Sequence, residues 1–134
     1  MVDIERQMYD LVVRKVVGEY PGLFCSSEPI LKPASFPALE MREIGNTVYT
    51  GTSTGSSAEN HARITFEITV YSAAAKNYSN ECKQIMGVCD ATMSSHNFRR
   101  TMMTLVPNYN GAGVHRLTAR YTGIAAYDGT IYYS

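Results

Sequence analysis

The sequence predicts an α+β domain: an antiparallel β-sheet with two α-helices packed on one face, its elements running α-β-β-β-α-β-β. Residues Arg63 to Tyr71 alternate strictly between apolar and polar side chains, the period-two signature of a strand with one face in the core. Two other stretches, about 3–17 and 75–94, repeat their apolar residues at helical spacing. Strand–helix–strand alternation does not run the length of the chain, as a doubly wound parallel sheet requires. The chain has 134 residues, 45% of them hydrophobic, which suits one domain over 1–134 with a real core.

The first helix is expected from Asp3 to Val17. Asp3 is a suitable N-cap, Ile4, Met8, Leu11, Val12 and Val16 make one apolar face, and Gly18 is a natural C-cap. Pro21-Gly22 supplies a turn, and Leu23-Phe24-Cys25 can form a short strand. Pro29, Pro33 and Pro37 forbid a helix and mark an extended connection over 27–37. A strand follows from Ala38 to Ile44, and Gly45-Asn46 predicts a break. After Val48-Tyr49 comes a polar Gly/Ser/Thr stretch, expected to be a flexible loop over about 50–60.

The alternating strand Arg63 to Tyr71 sends Ile64, Phe66, Ile68 and Val70 one way and Arg63, Thr65, Glu67, Thr69 and Tyr71 the other. The second helix, Ala75 to Ser94, carries an apolar stripe of Cys82, Ile85, Met86, Cys89 and Met93, weakened by about 1 kcal/mol at Gly87. Two strands follow, Phe98 to Val106 and Val114 to Ala126, joined by turn formers from Pro107 to Gly113. Asp128-Gly129 can turn the chain again, and Ile131-Tyr132-Tyr133 can pair briefly at the end.

Twelve basic and 12 acidic residues give a formal net charge of zero. A dedicated nucleic-acid binder carries a basic excess, and this chain has none. A chain of zero net charge also does little to hold its copies apart. No basic start followed by an apolar run marks a secretory signal, and no stretch nears the roughly 20 apolar residues of a membrane span. The expectation is a protein made and kept in the cytosol until assembly, with no membrane role. Three cysteines, an odd number, argue against a disulfide framework. Cys82 and Cys89, two turns apart, read as buried thiols on a core-facing helix; adding His96 gives no known zinc pattern. Asn77-Tyr78-Ser79 matches a glycosylation acceptor, which means nothing without secretion.

The chemical motifs are meagre. Gly51 and Gly55 precede no Gly-Lys-Ser/Thr, and Gly111-Ala112-Gly113 lacks a dinucleotide site's strand–turn–helix setting. His61, His96 and His115 belong to no catalytic signature; His115 alternates with Leu117 and Ala119 and belongs on their face. The acids form no pair suited to glycoside or metal chemistry. The residues therefore suggest no enzyme, no cofactor and no metal, although a site assembled in space stays open. Arg99, Arg100, Arg116 and Arg120 could converge on neighbouring strands and meet DNA phosphates. The favoured alternative is a solvated sheet face balanced by Glu40 and Glu67, and contact with another protein is a third reading. Ten tyrosines and no tryptophan, with several tyrosines near strand ends, suit protein–protein contact as well as ordinary half-buried packing.

Four stretches together resemble a family. Ser35-Phe36-Pro37-Ala38-Leu39-Glu40 enters a strand, and the strand Arg63 to Tyr71 leads to a polar helix start. Phe98-Arg99-Arg100-Thr101 begins another strand. Val106-Pro107-Asn108 leads through a Gly-rich turn to His115-Arg116-Leu117-Thr118-Ala119-Arg120-Tyr121. These are similar to the tail terminator (tail completion, head–tail joining) proteins of long-tailed bacteriophages, over about residues 3–126. The resemblance implies a virion protein assembled in the bacterial host cytoplasm. Its copies form a hexameric ring that caps the tail tube, stops polymerisation and meets the head–tail connector or neck protein. DNA would pass through the lumen without sequence-specific binding. The family supplies no catalytic residues. Thr52, Ser53, Thr54, Gly55 and Ser56 of the polar loop, with the four arginines, are the candidate assembly contacts. A head-side connector or neck adaptor is the alternative reading, and a small-molecule-binding or enzymatic α+β domain is a third.

Overall fold

The computed structural model describes residues 1–28, 33, 35–49, 61–74, 77–109 and 113–132, with only the backbone at 108–109. The expected α+β architecture is present: two helices lie on one side of a six-stranded, mostly antiparallel sheet. The elements are α1 (Glu5–Glu19), β1 (Phe24–Ser26), β2 (Ala38–Val48), β3 (His61–Ser72), α2 (Tyr78–Ser95), β4 (Arg99–Tyr109), β5 (Val114–Ala126) and β6 (Ile131–Tyr132). The sheet runs β1-β2-β3-β5-β4, and β6 pairs with the end of β5.

The alternation in β3 organises the core. Ala62, Ile64, Phe66, Ile68 and Val70 are buried against Met8, Val12 and Val16 of α1 and Cys82, Ile85, Met86, Cys89 and Met93 of α2. Leu39 and Met41 of β2 and Leu117, Ala119 and Tyr121 of β5 complete this layer, placed there by their register with Val70, Ile68 and Phe66. Each large apolar side chain removed from water here contributes about 1.5–3 kcal/mol.

Several boundaries differ from expectation. Ile4, not Asp3, occupies the N-cap of α1; Asp3 stands one residue earlier and its Oδ1 accepts the Glu5 N–H at 3.3 Å. Gly18 lies inside the helix, because the ladder continues until the Tyr20 N–H bonds to the Val16 carbonyl at 2.8 Å. Gly45-Asn46 does not end β2. The strand absorbs one extra residue as a bulge between Glu43 and Gly45 and stays paired with β3 out to Val48. The described part of α2 starts at Tyr78, after Asn77 in the left-handed region at φ 61°; the expected start at Ala75 lies outside the described residues. β4 continues through Pro107, which an edge strand tolerates because one side of its ladder is unused.

β1 is parallel to β2 rather than antiparallel. Phe24 stands opposite Ala38 and Ser26 opposite Glu40. Among the described residues no helix is long and apolar enough to cross a membrane.

Candidate functional site

Both helices pack on one side of the sheet, so the alternate residues of β2, β3, β5 and β4 face the other way. No described helix covers them. Register places Glu40 and Arg42 of β2, Arg63, Thr65, Glu67, Thr69 and Tyr71 of β3, Arg116, Thr118, Arg120 and Thr122 of β5, and Arg99, Met102 and Thr104 of β4 on this open face. Threonines bridge β3 and β5 directly: Thr65 Oγ1 lies 3.1 Å from Thr122 Oγ1, and Thr69 Oγ1 lies 3.2 Å from Thr118 Oγ1.

Glu67 is the electrostatic centre. Its Oε2 accepts the Arg120 Nε–H at 3.0 Å and its Oε1 lies 3.5 Å from Arg42 Nη2. Arg42 Nε also reaches Glu40 Oε2 at 3.3 Å. The two carboxylates are sunk in the surface, with side chains 13% and 6% exposed, whereas Arg42 and Arg120 stay 39% and 49% exposed. The acids are therefore spent on their own neighbours, and in these pairs the guanidinium groups are the more exposed partners. A hollow of about 410 Å³ opens among Arg42, Glu67, Met102, Thr104, Arg116 and Arg120.

Arg99, Arg116 and Arg120 share this face with Glu40 and Glu67. Arg100 does not join them. Successive strand residues point to opposite sides, so Arg100 stands on the helix side, with Nη1 3.2 Å from Asp90 Oδ1. The same oxygen accepts the Tyr121 hydroxyl at 2.8 Å. Burial, then this bond to a carboxylate, pushes the Tyr121 phenol well above its ordinary range. Arg42 and Arg63 belong to the face but not to the expected set. Their two-residue spacing from Glu40 and from Thr65 and Glu67 was the available signal, but only the strand register joins them to Arg116 and Arg120. Thr52, Ser53, Thr54, Gly55 and Ser56 lie outside the described residues.

The remaining candidates are dispersed. His61 stands on the open face with its ring 5.5 Å from that of Tyr132. His96 caps α2, its Nδ1 2.9 Å from the Thr92 carbonyl. His115 lies on the helix side, as its alternation predicts, stacked on Tyr78 at 3.5 Å and 8°. Cys82 and Cys89 are buried on the core face of α2, and burial pushes their thiols up to about 11 and about 12. Among the described residues no three His, Cys, Asp or Glu side chains are placed to hold a metal ion. The tyrosines divide: Tyr71 and Tyr121 are buried, while Tyr127 and Tyr132 are exposed.

A second, acidic locality lies at the start of α1 beside β2. Glu5 Oε2 accepts the Glu43 N–H at 2.9 Å, and Asn46 Nδ2 donates to the Val2 carbonyl at 2.8 Å. Burial, and then the charges of Glu5 and Asp3, raise the Glu43 carboxyl above its ordinary range. Its Oε1 is buried with no hydrogen-bond partner among the described residues. No protein-family model matches the chain, and a search of curated proteins finds no match.

Proposed function

We propose that this chain is a virion structural subunit of the tail-terminator kind. Copies of it form a ring that caps the tail tube, ends tail polymerisation and joins the tail to the head connector. One observation carries the assembly part of this reading. The subunit has two unlike sides, an apolar sheet side sealed by helices and an open side of arginines around committed carboxylates. A cap needs unlike surfaces, since it must accept the tube end below and offer something else above, and closed rotation of one subunit provides both. Arginine at the centre of a surface patch is common where proteins meet. The position at the tail's end comes from the sequence resemblance.

The test is genetic and microscopic. Removing the protein from a phage that encodes it gives overlong tails without heads, and native mass spectrometry of the purified chain with tail tubes gives a hexamer. A stable dodecamer moves the protein to the head-side connector. A chain that binds a metabolite and never associates with tubes overturns the virion reading.

A further inference from the structure

We propose that the open sheet face docks the acidic start of α1 of a second copy of this chain, joining copies head to tail. The inference rests on the ring reading and names the surface that would build it.

The zero net charge conceals a separation. Five arginines (Arg42, Arg63, Arg99, Arg116 and Arg120) and two glutamates (Glu40 and Glu67) stand on the strands of the open face. With 12 basic and 12 acidic residues in all, the remainder has seven basic and ten acidic, so the face holds a surplus of three positive charges and the remainder an equal negative surplus. Such a chain is complementary to itself, and complementary patches speed encounter and set orientation.

The choice of a protein over a nucleic acid follows from the hollow. Glu67 stands among its arginines, and Met102 and Val106 line it too. A run of phosphates laid across it would meet a carboxylate and two apolar side chains. A protein surface offers separate carboxylates that can reach the outlying arginines.

The reciprocal patch is the start of α1, where Glu5 Oε2 accepts the Glu43 N–H at 2.9 Å and the charges of Glu5 and Asp3 act against the Glu43 carboxylate. A guanidinium from a neighbour would relieve that repulsion, so docking has a driving force at both ends. The two patches are different surfaces on opposite sides of the sheet. Their contact is heterologous, and repetition closes a ring or runs on as a filament.

Four full-length chains test this by sedimentation velocity and native mass spectrometry, at low and high salt, with and without tail tubes. They are the wild type, Arg99→Glu/Arg116→Glu, Asp3→Lys/Glu5→Gln, and the combination of all four changes. Circular dichroism checks folding, and Arg99→Gln/Arg116→Gln replaces the glutamate pair if that pair unfolds. Each two-site variant should self-associate about tenfold or more weakly. A mixture of the two should recover assembly as alternating copies, since the unaltered patches still pair and the two reversed patches pair with each other. The four-site variant should recover assembly, and salt should weaken the wild type. Oligomers of unaltered strength in both two-site variants overturn the docking surface and leave the ring reading standing. A wild type monomeric under every condition overturns both. DNA bound by the wild type and released by the arginine variant reassigns the face and overturns the proposal.

Discussion

The ring of Phe98 fills the space that a side chain at Gly123 would need: a Cβ there would stand 2.9 Å from Phe98 Cδ1 and 3.0 Å from Cε1. Phe98 is buried and meets Phe66 edge-on, with ring centres 5.5 Å apart at 68°, so it has little room to yield. Gly123→Ala should cost about 1–3 kcal/mol through overpacking. Urea unfolding measures it. In a double-mutant cycle, adding Phe98→Leu should remove part of that cost; strict additivity would show that the two positions do not interact.

Asp90 ties α2 to the sheet through Tyr121 and Arg100. Tyr121→Phe removes the shorter contact and leaves the carboxylate its arginine. The expected loss is about 1–2 kcal/mol, read from the denaturation midpoint. A neutral result would mean that water replaces the hydroxyl at no cost.

Glu67→Gln takes one carboxylate from two arginines at once. The pairs are partly exposed on the arginine side, so the expected loss of stability is about 1 kcal/mol. It should shrink as salt is added. A loss indifferent to salt would point to packing instead of charge.

Glu43 tests linkage. Its folded pKa is raised, so the folded chain holds this proton more tightly than the unfolded chain does. Ionising it therefore lowers stability as pH rises from the ordinary glutamate pKa to the raised one, and the deficit persists above. Glu43→Gln should melt higher than the wild type at neutral pH, with the gap closing as pH falls below the ordinary carboxylate range. A gap constant with pH contradicts this assignment.

The cysteines differ in access. Cys82 and Cys89 are buried, with thiols near 11 and 12, while Cys25 is only half-buried and less strongly shifted. Iodoacetamide on the native protein should label Cys25 first, and peptide mass spectrometry should find the helix cysteines labelled only after unfolding.

The legible parts of this sequence were those governed by period. The alternation from Arg63 to Tyr71 identified both faces of β3, and the stripe from Cys82 to Met93 identified the buried side of α2, because burial is decided residue by residue along one element. What escaped depended on neighbours. Gly45-Asn46 reads as a break until β3 supplies a ladder that carries β2 past it. Gly18 reads as a stop, but the backbone ladder carries α1 on to Glu19. The parallel placing of β1 has no local cause. For the candidate surface, Arg116 and Arg120 were legible as a same-face pair, and Arg100 could have been separated from Arg99 by strand alternation alone. That Arg42 shares Glu67 with Arg120 depends on which strands became neighbours.

The strand order has a consequence for how the chain is made. β5 lies between β3 and β4 although it is later in sequence than both. During synthesis, β3 must wait with one edge open while α2 and β4 emerge. Only when residues 114–126 leave the ribosome can that gap be filled, and β4 has no sheet partner until then. An open edge is an invitation to the wrong partner, and pairing across such separations is slow. In a crowded translating polysome, the interval between β3 and β5 is when this protein is most exposed to a neighbouring nascent copy.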